Sequence, residues 1–390
     1  MSLSLQIIIA IAYAFAGCYV LYILFFYMGF RRLKPHLLKN DKFLPPLTVI
    51  VCARDEEENI ETCVRSILAQ EYPKDRFSLI VVNDRSEDRT QDILEKIASE
   101  DQRLRVVHLR DCPPDVSPKK NAISHAIEFC NTEYIVATDA DTRHPKNWLK
   151  TYGSLCEKNV GAATGICLYK KDKFSSKWEE AWQSMQTIEN LSYSMVIAGA
   201  MVNGFAITAH GGNMMFRKEL FESDNPLKKQ IVTGDDSDIV YEAQRRKYLV
   251  LFNAHPESVV NVVPEKSIKD VINQRIRWAS HTMKATFPVV VLGLTVFLFY
   301  ASLILLPFLA LADVGVLPYW GGLVLIKAMC DFLYMSLTMK KFKIPFKFIH
   351  LFLMELVHAP FIVWVGLYGT FGNFTWKGTS YKKTLGTKDT

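Results

Sequence analysis

Two aspartates leaving a strand one residue apart are the clearest chemical signal in this chain. Asp139 and Asp141 close the run EYIVATDAD, whose middle is apolar enough for a buried strand. Where the chain leaves a sheet, alternation no longer holds such a pair on opposite faces, so both carboxylates can approach one hard cation. Magnesium or manganese suits oxygen ligands of this kind, with phosphate oxygens and water completing the shell. Such an ion offsets charge that develops on a diphosphate leaving group. The same tripeptide occurs on many surfaces by chance, and its place behind a buried strand is what gives it weight.

Three other segments carry chemistry-capable residues. Asp84 ends LIVVND ahead of a turn and helix start, where it can serve a ligand or simply cap the helix. Asp235, Asp236 and Asp238 crowd the start of another helix, a place the helix dipole favours for carboxylates. Gln274, Arg277 and Trp278 are spaced to share one helix face. Arg277 offers a fixed positive charge, and Trp278 a flat apolar surface. The same pattern fits an amphipathic helix at a membrane surface, with Arg275 and Arg277 toward lipid phosphates. In AHGGN, Gly211 and Gly212 permit close backbone approach, while His210 reads as structural rather than as a base.

The elements that must position these residues alternate strand and helix. LTVIVCA, opened by Pro45-Pro46, predicts a buried strand, and Ile60, Val64, Ile67 and Leu68 predict the helix after it. FSLIVVN, a helix near 89–99, LRVVHL, a helix near 121–130 and EYIVATD follow. This order predicts an α/β fold with a doubly wound, mostly parallel sheet. Such sheets bind ligands at the carboxyl ends of their strands. Asp55, Glu56, Asp84, Asp139 and Asp141 then fall on one edge, where unliganded acidic loops would repel each other. No glycine-rich fingerprint follows the first strand and no P-loop is present, which excludes the dinucleotide and P-loop classes.

Apolar residues make up 49% of the 390, concentrated before Phe30 and after Phe287. The uncharged run from Leu5 to Tyr27 is close to the roughly 20 residues that span a bilayer. Ala14-Phe15-Ala16 and Cys18 mimic processing sites, but a basic leader is missing and apolar sequence continues past Cys18. Arg31, Arg32 and Lys34 mark the cytoplasmic side. The expected plan is a transmembrane anchor at 1–30, a cytoplasmic domain at 31–286 with an interfacial helix near 267–280, about three membrane helices at 287–372, and a basic tail at 373–390. The spans are expected at 288–312, 319–337 and 346–371, while the apolar stretch 194–208 is too short to cross. One feature resists this plan, because four crossings put the tail outside although Lys377, Lys382 and Lys383 make it basic. Pro360 could break the last helix so that part of it lies in the interface. Cys52, Cys63, Cys112, Cys130, Cys156 and Cys167 lack metal-type spacing and fit reduced thiols. The net charge of +6 comes from clusters flanking apolar segments and points to lipid headgroups, not nucleic acid.

Taken in order, TVIVCARDEEENI, VVNDRSEDRT, SPKKNAISHAI, YIVATDADT, TGDDSDI and QRIRW resemble the motif series of family 2 glycosyltransferases. The membrane-bound branch, with cellulose, hyaluronan and poly-N-acetylglucosamine synthases and ceramide glucosyltransferases, is similar over about 47–278. The resemblance implies a glycosyltransferase A fold and a nucleotide-sugar donor, expected to be a UDP-sugar. It places Asp84 at the nucleobase, Glu56 near the nucleoside and Lys119, before a helix, at the donor. Asp139 and Asp141 match the metal site, with Asp141 the direct ligand. Asp235 and Asp236 match the family's acidic pair, making Asp236 the general base of an inverting transfer, its basicity raised by repulsion from Asp235 and Asp238. Gln274, Arg277 and Trp278 would serve the acceptor and diphosphate. Cys52-Ala53 departs from the family's usual proline and small polar residue, which bears on contacts to the nucleotide. The expected activity is transfer of one sugar to a lipid-linked or membrane-proximal acceptor in a multi-pass membrane protein, the inner or plasma membrane in a bacterium, in cell-envelope glycolipid or polysaccharide synthesis. A processive polysaccharide synthase is the enzymatic alternative, and a membrane scaffold with a degenerate transferase domain the alternative of another class.

Overall fold

A computed structural model of the chain describes residues 1–113, 116–170, 174–222, 225–228, 234–282, 285–342, 347–376 and 379–381. The chain opens with helix α1 (Leu3–Arg32). The sheet domain then runs β1 (Leu47–Ala53), α2 (Ile60–Leu68), β2 (Phe77–Asp84), α3 (Thr90–Glu100), β3 (Leu104–Leu109), α4 (Pro118–Glu128) and β4 (Tyr134–Asp139). It continues through β5 (Thr142–Arg143), α5 (Trp148–Leu155), β6 (Val160–Thr164), β7 (Cys167–Tyr169) and the long helix α6 (Lys177–Val202). Next come β8 (Asn213–Arg217), α7 (Asp235–Arg245), β9 (Leu249–Phe252), β10 (Val260–Val262) and α8 (Ile268–Thr282). The chain then forms α9 (Phe287–Leu309), α10 (Leu317–Phe342), α11 (Phe348–Phe371) and the hairpin β11 (Phe374–Trp376) and β12 (Thr379–Tyr381).

The main sheet has the order β3-β2-β1-β4-β8-β6-β9. It is parallel except at β8, which runs against both β4 and β6. β1 is buried on both faces, as expected of a central parallel strand, so it reads as a continuous apolar run. Its alternate residues feed two cores. Val49 and Val51 pack with Leu79, Val81 and Val136 under α2, α3 and α5, whereas Ile50 packs with Ile80 and Ile135 toward α4, α6 and α7.

Register decides where the site forms. Ala53 is level with Asn83, and Cys52 with Asp139, so the loops after three strands leave the sheet side by side. Antiparallel β8 pairs Asn213 with Thr138, which brings the preceding His210–Gly212 loop to the same edge. Asn213 fixes that junction. Its side chain accepts from Trp148 Nε1 at 2.9 Å and donates to the Ile166 and Ser258 carbonyls at 2.9 and 2.8 Å. A small sheet, β5-β10-β7, closes the other side.

Most expected elements fall within a few residues of their expected bounds, and two depart. The helix expected from Asn121 starts at Pro118, a residue suited to a helix's first turn, so Lys119 lies inside the helix and not before it. Pro360 does not break α11, which continues through it to Phe371. The expected basic tail lies outside the described residues from 382 onward.

Among the described residues four helices are long and apolar enough to cross a membrane: Leu3–Arg32, Phe287–Leu309, Val314–Phe342 and Phe348–Phe371. On α1 the buried positions Ile9, Ala12, Ala16, Tyr19, Ile23, Phe26 and Phe30 recur at three and four residues, a seam facing its neighbours. Helices in lipid gain no hydrophobic drive from meeting each other, so close packing of small residues matters. Gly29 of α1 and Gly199 of α6 touch backbone to backbone, and a Cβ on either would overlap a carbonyl of the other helix, Gly199 or Phe26. We expect Gly199→Leu to pry α1 from α6 at a cost of about 1–3 kcal/mol, seen as a lower thermal midpoint in detergent. Gly17→Leu, at a position with open space around it, should leave the midpoint nearly unchanged.

Candidate active site

A cavity of about 800 Å³ sits at the carboxyl edge of the sheet. Glu56, Asp84, Lys119, Asp139, Asp141, Asp235, Asp236, Gln274, Arg277 and Trp278 all line it, whereas Asp238 and Arg275, also singled out from sequence, do not.

The strand ends supply the first wall. Asp139 leaves β4 with Oδ1 2.8 Å from Lys119 Nζ. Lys119, in the first turn of α4, also reaches Asp235 Oδ2 at 3.5 Å. Burial alone would lower the Lys119 pKa, but Asp139 and Asp235 outweigh it and hold the ammonium above the usual lysine range. Gly212 presses on Asp139 from the other side, where an added Cβ would stand 2.6 Å from Oδ2.

Asp141 is in a different condition. Burial, then the charges of Asp139, Glu56 and Glu265, push its carboxyl up to about 8. Negative charge is in excess at this point, a defect that a cation would relieve. No group of three or more His, Cys, Asp or Glu side chains that could hold a metal forms among the described residues. Two carboxylates therefore fit an ion only as a partial shell completed by ligand oxygens, which is how magnesium is commonly held beside phosphates.

Asp84 corrects an expectation. It does not stand as an unpaired charge repelling Asp139, because Arg85 pairs with it through Nε at 2.7 Å and Nη2 at 3.1 Å. Arg85 turns back through a positive φ of 56° to do so. Glu56 accepts from Asn59 Nδ2 at 3.1 Å, while its backbone N–H donates to Thr90 Oγ1 at 2.8 Å.

The opposite wall comes from the start of α7. Burial, then Asp235, push Asp236 up to about 7, although its Oδ1 accepts from the Ser237 N–H at 2.7 Å. Burial works against ionisation of Asp235 as well, yet Lys119 and Lys120 outweigh it and keep that carboxyl low. The two neighbours thus separate into an anion beside lysines and a group poised near neutrality. Asp238 does not contribute the repulsion expected of it. Its carboxylate takes Lys120 Nζ at 2.7 Å, in a pair whose side chains are 1% and 3% exposed.

α8 forms the third wall. Gln274 donates to Glu265 Oε1 at 2.7 Å and accepts from Tyr169 at 3.3 Å. Arg277 stands within electrostatic range of Asp235 and Asp139. Arg275 does not reach toward lipid phosphates. It is buried against Glu189 of α6 at 2.8 Å, with its guanidinium 4.3 Å from the Trp278 ring centre. Tyr193, also on α6, lies nearly parallel to Trp278 at 17°, with ring centres 6.3 Å apart.

Sequence reading missed Lys120, Tyr169, Glu189, Tyr193 and Glu265. A signal existed for α6, because Gln183, Gln186, Asn190 and Ser194 recur at three and four residues and place buried polar groups on one side of the helix. His210 is structural, as expected. Its Nε2 meets Ser194 Oγ at 2.8 Å, and burial lowers its pKa to about 4.

Comparison with known proteins places this geometry. A family model described as "Glycosyltransferase like family 2" matches residues 45–280. Probable glycosyltransferase YdaM of Bacillus subtilis is 26% identical over 257 residues, 65% of this chain and 59% of its own length. The beta-monoglucosyldiacylglycerol synthase of Trichormus variabilis is 23% identical over 254 residues, 64% of this chain and 52% of its own length. The poly-beta-1,6-N-acetyl-D-glucosamine synthase of Staphylococcus aureus is 25% identical over 247 residues, 60% of this chain and 54% of its own length. The chain thus spans between half and three fifths of the length of these curated relatives. Among solved structures, the mannosyltransferase PcManGT of Pyrobaculum calidifontis, in complex with GDP-Man and Mn2+, shares the fold. It superposes with a TM-score of 0.54 at 18% identity, covering 93% of this chain and 98% of that one.

The buried Lys120–Asp238 pair holds α4 to α7 beneath the site. Lys120→Met takes the ammonium away from a buried carboxylate, so it should cost about 3–5 kcal/mol. Chemical denaturation should also show Lys120→Met/Asp238→Leu recovering part of that loss.

Proposed function

The chain belongs to glycosyltransferase family 2, and from that premise we propose that it moves a sugar from a nucleotide-diphosphate donor to a lipid acceptor at the membrane, inverting the anomeric carbon. One observation carries the reading: a single cavity holds an electron-rich carboxylate pair and two cations on its donor side, and a carboxylate poised near neutrality facing them.

The donor's diphosphate carries charge that grows as its bond to the sugar breaks. Lys119 and Arg277 supply fixed positive charge for it. Asp141, supported by Asp139, would hold a divalent cation, whose positive charge would further stabilise the departing diphosphate. Asp84 and Glu56, after β2 and β1, lie where the nucleoside would extend along the strand ends. A UDP-sugar is the donor we propose, with GDP-sugars the contrast.

The acceptor hydroxyl is a weak nucleophile until it loses a proton. Asp236 takes that proton as the new bond forms, and with a pKa near 7 it is both substantially ionised and basic at neutral pH. Attack from its wall comes opposite the diphosphate and so inverts the anomer. Tyr193 and Trp278 frame the acceptor side with two aromatic faces. Their helices, α6 and α8, pack on the apolar helices α1, α10 and α11, which favours an acceptor delivered by the bilayer. Basic residues Arg31, Arg32, Lys340 and Lys341 end α1 and α10 beside the sheet domain, supporting a cytoplasmic placement of that domain.

Asp236→Asn should reduce transfer by about 10²–10⁴-fold while donor affinity, read by calorimetry, stays within a few fold. Normal turnover would remove Asp236 from the role. The base acts when deprotonated, so the wild-type rate should fall as pH drops through about 7 and level above it, and the asparagine variant should lose that limb. Donor binding should require magnesium or manganese, disappear with a chelator, and weaken most in Asp141→Asn. A screen of UDP- and GDP-sugars with no binding in any metal would instead indicate a scaffold.

A further inference from the structure

Of the four helices long enough to cross a bilayer, three share one plan and the fourth does not. α1, α9 and α10 each keep only one end by the catalytic domain. At that end Lys341 Nζ donates to the Phe30 carbonyl at 2.7 Å and Arg32 pairs with Asn203 at the end of α6. At the far end Tyr13 donates to the Tyr319 carbonyl at 3.0 Å, and the turn joining α9 to α10 exposes Val314.

α11 keeps both ends by the catalytic domain. Lys347, its N-cap, reaches Glu180 in the first turn of α6 at 2.5 Å. Near its other end Gly369 lies so close to α8 that an added Cβ would stand 2.6 Å from Ala279 Cβ and 3.2 Å from the Ile276 carbonyl. The strand that follows, β11, also packs on α8. Both α6 and α8 line the catalytic cavity, through Asn190 and Tyr193 on one and Gln274, Arg277 and Trp278 on the other. A straight helix of 24 residues is about 36 Å long, enough to carry its far end through a hydrocarbon layer of about 30 Å. It cannot do so and still return that end to α8.

We propose that α11 does not cross the bilayer but lies within the leaflet on the catalytic side, so that the chain crosses three times and leaves the membrane on the side of its active site. Its two faces fit that position. Leu351, Met354, Ala359, Val365 and Gly369 are buried against the protein. Phe348, Phe352, Leu356, Leu367 and Phe371 form an exposed apolar stripe, which the acyl chains of that leaflet cover. Glu355 points inward and meets Lys327 of α10 at 2.6 Å, so the charge in the middle of α11 is not presented to lipid. With three crossings in place of four, the sequence-level conflict between the crossing number and a basic tail disappears. This placement rests on helix contacts and is independent of the donor, acceptor and metal assigned above.

The test is sidedness in sealed vesicles of the full chain, using a membrane-impermeant maleimide and reading labelling above the native cysteines. Asn373→Cys, Lys158→Cys on the sheet domain and Val314→Cys on the far turn are compared, all at exposed positions. Asn373→Cys is expected to react from the same side as Lys158→Cys and opposite to Val314→Cys. Reaction together with Val314→Cys overturns the proposal. Depth-dependent quenching of a fluorophore on Phe352→Cys, Leu356→Cys and Leu367→Cys gives a second reading. Similar depths along the helix support the in-plane placement, and a steady progression across the bilayer overturns it.

Discussion

One half-buried ammonium, Lys119, joins the two halves of the site. It stands between Asp139, at the end of a central strand, and Asp235, at the start of a helix far along the chain. Without a cation at that point two carboxylates would face each other across the cavity, and their repulsion would fall on the fold. With it, the strand edge and the start of α7 are drawn to a fixed separation. The different fates of Asp235 and Asp236 follow, because the lysine stabilises one carboxylate and leaves its neighbour to bear the burial and the repulsion. The charge that organises the site is also the charge a diphosphate would seek.

The sheet was legible because parallel strands buried on both faces must be continuous apolar runs, and LTVIVCA, FSLIVVN and YIVATD are such runs. Register then carried the acidic residues to one edge, so their gathering followed from strand order and needed no knowledge of side-chain contacts. What sequence could not show was pairing. Asp84 is neutralised by its own neighbour through an unusual backbone turn, and Asp238 by a lysine 118 positions away. Carboxylates that look alike in sequence thus differ in their charge surroundings once their partners are placed. Arg275 was misread for the same reason, since its partner Glu189 lies 86 positions away on α6.

The apolar helices were legible in number and length but not in direction. Hydropathy reports whether a segment can sit in lipid, and an in-plane helix and a crossing one satisfy it equally. Contacts at both ends of α11 distinguish them. The same layer shows why the catalytic half and the membrane half are not separable modules: α6 contributes Tyr193 to the cavity and Gly199 to the seam with α1.

The backbone at Gly212 has a consequence for how ligands are met. Because it lies hard against the Asp139 carboxylate while Lys119 holds the opposite oxygen, that side chain is held at both oxygens before any ligand arrives. In most sites a charged side chain surrenders its freedom when a ligand arrives, which weakens the complex. Here that ordering is completed during folding, so the entropy lost on binding falls on the ligand and the surrounding water.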